Sequence, residues 1–444
     1  MAGLSSKRVL ILGGGVAGAA AADRLASAGV EVTLVEQQPL IGGHAIAMGC
    51  KAADVCLRCN VCVAVDIFKS VLQSSRVRVM TRARLAAFES NGATSPYRAV
   101  IAMEPGFIRM DRCTACGACV KACPKGCLQV QWPAVYGGKP VMQTDACLRT
   151  RGKKCDRCAQ ACPVNAIDLD AKPRQQVVSV DAVVVATGYQ PYDPATDASF
   201  GYGTVANVIT GLEAEHQLAQ DHRITRPADG QVPRRVAFIQ CVGSRSEHAH
   251  RRPEDTDYCS AVCCAYALRM ARRFLHETPD AVVTVFYMDL QNFGQDFNAF
   301  LQAVKPRLNL IHARPYEVTP GADGQVIIRY EDQAKAAVAL AEFELVVLSV
   351  GIRPAPDAGA LAELLCIPVD EHGFMGIKGA TGLADTQRPR VFLAGACEAP
   401  KDIAASISQA ESVCAAVLGE LSPAQPVHPQ RLERSDCGQA KKRN

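Results

Sequence analysis

The 444-residue sequence is 49% hydrophobic and 21% charged, which suits a soluble globular chain of two or three domains. A net charge of +4, one Trp and 5% aromatics make no case for nucleic-acid binding. Twenty-one cysteines, with no export signal ahead of the first strand, imply metal or redox work in a reducing cytoplasm rather than a disulfide framework. No run of about 18 apolar residues predicts a transmembrane helix.

Val9-Leu10-Ile11-Leu12 reads as a buried parallel strand. The turn Gly13-x-Gly15-x-x-Gly18, an Ala-rich helix over residues 19–28 and a second strand over 32–35 ending in Glu36 follow in order. Glycines there let the backbone approach a pyrophosphate at the helix N-terminus, and the acid about 20 residues on holds a ribose hydroxyl. Gly42-Gly43 follows closely. Strand 183–185 runs into Ala186-Thr187-Gly188, and residues 391–394 form a strand leading to Gly395. Together these favour FAD, bound by Gly13, Gly15, Gly18, Glu36, Gly43, Ala186, Thr187, Gly188 and Gly395.

Cysteines fall into groups along the chain. Cys50, Cys56, Cys59 and Cys62 crowd thirteen residues, which packing explains poorly, so they predict a further cluster or metal site. Cys113, Cys116, Cys119 and Cys123, followed by Pro124, have the C-x2-C-x2-C-x3-C-P spacing of bacterial ferredoxins. A second run, Cys147, Cys155, Cys158 and Cys162, also ends before a proline. Such runs hold [4Fe–4S] cubanes, and the fourth Cys of each ligates the other cluster. Cys113, Cys116, Cys119 and Cys162 are therefore expected on one cubane, and Cys147, Cys155, Cys158 and Cys123 on the second. Zinc and disulfides fit this spacing less well.

A second α/β unit is predicted to start at the strand 235–240, with a helix near 265–275 and a strand at 282–287. Where a nicotinamide site would carry its glycine loop, the sequence has Gln240-Cys241-Val242-Gly243-Ser244-Arg245. Cys259, Cys263 and Cys264 follow, enough with Cys241 for another cubane, while buried free cysteines are the plainer reading. Cys127, Cys366, Cys397, Cys414 and Cys437 have no assigned role. The resulting division is a flavin-binding domain at 1–104, 172–235 and 341–420, a ferredoxin-like insert at 105–171, a Cys-bearing Rossmann-like domain at 236–340, and a mobile tail at 421–444.

Taken together, these motifs resemble the heterodisulfide reductase A-subunit family, a group of iron–sulfur flavoproteins. The glycine motif at 13–18 and Asp54-Val55-Cys56-Leu57-Arg58-Cys59 carry the resemblance. So do the ferredoxin insert, Ala186-Thr187-Gly188-Tyr189, Cys241-Val242-Gly243-Ser244-Arg245, Tyr258-Cys259-Ser260 with Val262-Cys263-Cys264, and Gly395 with Pro400-Lys401-Asp402-Ile403. The resemblance implies an α/β, thioredoxin-reductase-like flavoprotein with two Rossmann-type domains and an inserted 2[4Fe–4S] domain. It implies an oxidoreductase using FAD and wired clusters, and some members bifurcate electrons at the flavin. Implied partners are other subunits of such a complex, with a ferredoxin, hydrogenase or dehydrogenase donor; a homodimer fits too. A cytoplasmic location follows, with membrane association only through partners. Larger members carry a further C-terminal ferredoxin domain that this sequence does not show, which opens a sulfur- or quinone-linked role. The extra Cys50 and Cys62 leave the ligand set around Cys56 open. No acid/base or nucleophile set stands out, so catalytic residues stay unassigned. The rival reading is a self-contained NAD(P)H oxidoreductase, and a purely structural scaffold is a third.

Overall fold

A computed structural model describes residues 4–90, 96–130, 140–246, 255–291, 297–378 and 385–422. Cys437 and nearly all of the expected tail lie outside the described residues.

Five parallel strands form the first sheet, in the order Val391–Leu393, Ala182–Val185, Arg8–Leu12, Glu31–Val35, Val77–Met80. Its strands are apolar on both faces, as covered parallel strands must be. Val9, Ile11, Val32 and Leu34 face helices Val16–Ser27, Val61–Gln73 and Ile403–Leu421. Leu10, Leu12, Val35 and Val183 face an antiparallel meander of Ala83–Ser90, Tyr97–Met103 and Arg174–Val180, and the helix Ala358–Leu365. The ferredoxin-like insert interrupts this meander between its last two strands and has its own small core of Phe107, Ile108, Leu128 and Met142.

The second sheet is also parallel, in the order Val208–Thr210, Leu345–Val350, Arg235–Val242, Val282–Tyr287, Asn309–His312. Helices Gly211–Gln220, Cys263–Glu277 and Phe297–Val304 cover one face, and a three-stranded antiparallel sheet covers the other. A ribbon of Tyr189–Pro191 against Ile352–Pro354 joins the two units.

Three sequence expectations change here. The sequence places a strand near Leu345–Ser349 in the flavin-binding unit, but the strand Leu345–Val350 lies inside the second sheet between Val208–Thr210 and Arg235–Val242. Val208–Thr210, also within a range assigned to the flavin domain, joins it there. A short apolar run fits the interior of either parallel sheet equally well, so composition does not choose between them. The strand expected to end at Gln240 continues to Val242 across a register shift, with Cys241 at φ +59°. That left-handed backbone costs an L-residue about 1–2 kcal/mol.

Candidate functional site

A cavity of about 740 Å³ opens between the two units, within the roughly 300–1,000 Å³ of small-molecule sites. Gly13, Gly15, Glu36 and Gly43 line it from the first βαβ unit, and Ala186, Thr187 and Gly188 from the neighbouring strand end. The glycines divide by task. A Cβ on Gly18 would stand 1.9 Å from the Gly13 carbonyl oxygen, so Gly18 serves the packing of helix on loop. Gly13, at φ +102°, would collide with Ala186. A Cβ on Gly15 meets nothing within 4 Å: its open side faces the cavity, at the start of helix Val16–Ser27. Gly395 is not on the cavity wall. It packs against Ala17, and its N–H donates to Gln409 Oε1 at 2.7 Å; its neighbour Ala396 reaches the wall.

Glu36 is buried, and its two carboxylate oxygens accept the N–H groups of Gly14 and Gln38, each at 2.7 Å. Burial holds its carboxyl above the ordinary value despite those bonds. Thr187 Oγ1 is buried without a hydrogen-bond partner. An open helix N-terminus, an anchored acid and an orphaned hydroxyl on one wall suit a dinucleotide whose phosphates meet the helix and whose polar edge uses Thr187.

The opposite wall carries residues that the sequence did not single out. Lys51 Nζ and Glu215 Oε1 stand 2.5 Å apart with side chains 3% and 4% exposed, and both line the cavity. The Gly49 N–H also donates to Glu215 Oε2, at 3.3 Å. Burial raises the Glu215 carboxyl above its ordinary value, and the Lys51 ammonium only partly offsets this. The pair ties the segment between strand Glu31–Val35 and helix Val61–Gln73 to helix Gly211–Gln220 of the second unit. Lys51→Met, which strands a buried carboxylate, is expected to cost roughly 3–5 kcal/mol. Urea unfolding of the flavin-free protein checks this, and adding Glu215→Leu should recover most of the loss.

Within the insert, Cys113, Cys116, Cys119 and Cys162 surround one small cavity with Ile108 and Ile167. Cys158 lies near Cys147 and Cys123, in a second grouping at the other end. The short helices Ala118–Ala122 and Arg157–Gln160 bury Cys119 and Cys158, and burial pushes the Cys158 thiol up to about 11. Cys155 is half-buried at the start of the second helix.

Cys241, Cys259, Cys263 and Cys264 gather where strand Arg235–Val242 ends and helix Cys263–Glu277 begins. A hydrogen bond from the Cys263 thiol draws Cys241 down to about 7 against burial, assisted by the charges of Arg245 and Arg314. Arg245 is held beside them by its ion pair with Asp289. Gly243 belongs to packing: a Cβ there would lie 2.3 Å from the ring of Tyr192.

Of the remaining group, Cys50, Cys56 and Cys62 are exposed, while Cys59 is half-buried and reaches the large cavity. Their loop is fastened to helix Cys263–Glu277 by Arg272 to Asp54 at 3.1 Å and by Arg273 to the Ala52 carbonyl. Among the described residues no three His, Cys, Asp or Glu side chains close around a point as a single metal ion requires.

Comparison with known proteins agrees with this geometry. A 4Fe-4S dicluster domain family matches residues 112–166, and an NAD(P)-binding Rossmann-like domain family matches residues 11–48. The A-subunit of the H2:CoB-CoM heterodisulfide,ferredoxin reductase of Methanothermobacter marburgensis is 32% identical over 429 residues, covering 92% of this chain and 63% of that protein. The iron–sulfur A-subunit of the CoB–CoM heterodisulfide reductase of Methanocaldococcus jannaschii is 31% identical over 435 residues, covering 93% of this chain and 64% of that protein. The chain thus spans a little under two thirds of these relatives. Thioredoxin reductase of Lactococcus lactis superposes with a TM-score of 0.50 at 13% identity, covering 94% of this chain and 99% of that one, which shows a shared fold. With about a third of its residues identical along nearly its whole length, the chain is similar to the A-subunits of heterodisulfide reductases.

Proposed function

We propose that this chain is an electron-transfer oxidoreductase subunit that holds FAD in the large cavity and [4Fe–4S] clusters on its cysteine groups. It would pass electrons between a donor, the flavin and the clusters toward a partner subunit with a disulfide, sulfur or quinone site. One observation supports the reading: helix Cys263–Glu277 borders both the cavity and the thiol group. Val262, Ala265, Tyr266 and Arg269 line the cavity, while Cys263 and Cys264 in its first turn join Cys241 and Cys259. A cofactor in the cavity and a cluster on that group would be separated by a single helix.

FAD exchanges both electron pairs and single electrons, so it suits the junction between two-electron substrates and one-electron clusters. The chain's own residues do the rest. Glu36 and the open side of Gly15 would seat the dinucleotide, and Thr187 would meet a polar edge. Lys51 and Glu215 set charge on the far wall. Ferredoxin-type ligation by Cys113, Cys116, Cys119 and Cys162, and by Cys147, Cys155, Cys158 and Cys123, would give two cubanes, and Cys241, Cys259, Cys263 and Cys264 a third. Cys50, Cys56, Cys59 and Cys62 are the candidate ligands of a fourth. No helix among the described residues is long and apolar enough to cross a membrane.

Anaerobically purified protein is expected to contain one FAD and about 12–16 irons per chain. Stoichiometric zinc with almost no iron would overturn the reading. The nicotinamide alternative is answered by stopped-flow mixing with NADH or NADPH: the proposed subunit leaves its flavin oxidised, whereas rapid bleaching by the isolated chain supports the rival. Purification of the native complex would then identify the partner subunits.

A further inference from the structure

The ferredoxin-like insert repeats itself, and the repeat is broken at one place. Cys123-Pro124-Lys125-Gly126-Cys127-Leu128 closes the first half and Cys162-Pro163-Val164-Asn165-Ala166-Ile167 closes the second. In the second half the Ala166 backbone N–H donates to Cys162 Sγ at 3.2 Å, and the alanine methyl offers nothing more. The matching position in the first half is Cys127. Its side chain is 3% exposed, among Phe107, Leu128 and Met142, and its Sγ lies 3.2 Å from Cys123 Sγ. Cys147 approaches the same sulfur. Cys127 therefore sits against two of the four thiolates assigned to the second cubane, as a fifth sulfur that the ferredoxin spacing does not require.

We propose that Cys127, with its Sγ 3.2 Å from that of the cluster ligand Cys123, donates an S–H···S hydrogen bond to it and raises the reduction potential of the second cubane above that of the first. This rests on the insert holding two cubanes, as argued above. A reduced cubane carries one more negative charge than an oxidised one, and a donor to a ligating sulfur stabilises that form. The S–H group is a weak donor, but a dry site strengthens it. The first cubane, with Ala166 at the equivalent place, lacks the donor. An insert with two unequal clusters gives electrons a preferred direction through an otherwise symmetric unit.

The test compares full-length wild type with Cys127→Ala and Cys127→Ser, purified anaerobically, by iron content and by redox titration followed with electron paramagnetic resonance. All three should hold the same iron. In Cys127→Ala one cluster should become harder to reduce by about tenfold in its equilibrium constant, 59 mV for one electron, while the others stay in place. Cys127→Ser keeps a donor and should retain most of the wild-type potential. Loss of about four irons from Cys127→Ala would make Cys127 a ligand and overturn the proposal. Unchanged potentials in both variants would reduce it to a packing residue. Wild-type protein with no cubane in the insert would sink the underlying assignment instead, a result visible before any variant is made.

Discussion

Gly15→Val is expected to purify without flavin while keeping its iron. Gly15 lies at φ −71° and ψ −166°, a backbone that valine adopts freely. Its Cβ would meet nothing within 4 Å, so the fold itself loses little. The added side chain would instead occupy the space at the N-terminus of helix Val16–Ser27, where a pyrophosphate would approach the backbone N–H groups. The flavin absorbance should disappear, and the insert, with its separate core, should keep its clusters. Gly18→Ala makes the contrast. There the Cβ would stand 1.9 Å from the Gly13 carbonyl oxygen, so flavin loss should come with a lower melting temperature. A Gly15→Val protein that stays yellow would show that the cavity holds its ligand elsewhere.

The second large effect is expected from Cys263→Ser. Cys263 is 2% exposed and within hydrogen-bonding reach of both Cys241 and Cys264. With Cys259 they form a compact thiol group next to the Arg245–Asp289 pair. Such a group, with one thiol drawn down to about 7, is better suited to binding iron than to inert packing. The substitution should remove about four irons, the content of one cubane, and slow electron passage between flavin and partner. Full iron content with an unchanged resonance spectrum would make these cysteines structural and reopen the nicotinamide question.

Local chemistry was legible in the sequence wherever it depends on spacing. Gly13, Gly15 and Glu36 stand on the cavity wall, Cys113, Cys116, Cys119 and Cys162 line one small cavity, Cys158 lies near Cys147 and Cys123, and the thiols at 241, 259, 263 and 264 gather in one group. What stayed hidden depends on long-range placement. Lys51 and Glu215 are 164 positions apart, and nothing near either one signals a shared buried pair. Leu345–Val350 goes to the wrong sheet on sequence alone because both sheets accept the same apolar run. Gly395 looks like a ligand contact because it follows a strand, yet its missing side chain makes room for Ala17.

Tyr192 carries a consequence for rebuilding this unit around a nicotinamide. Its ring covers Gly243, in the turn where a nicotinamide site would keep open backbone. Restoring glycine at position 241 alone would remove a thiol and leave the aromatic lid in place. Trimming Tyr192 alone would open a hole in an apolar core without making a phosphate loop. Either change alone is expected to cost stability or a thiol without opening the turn to a phosphate.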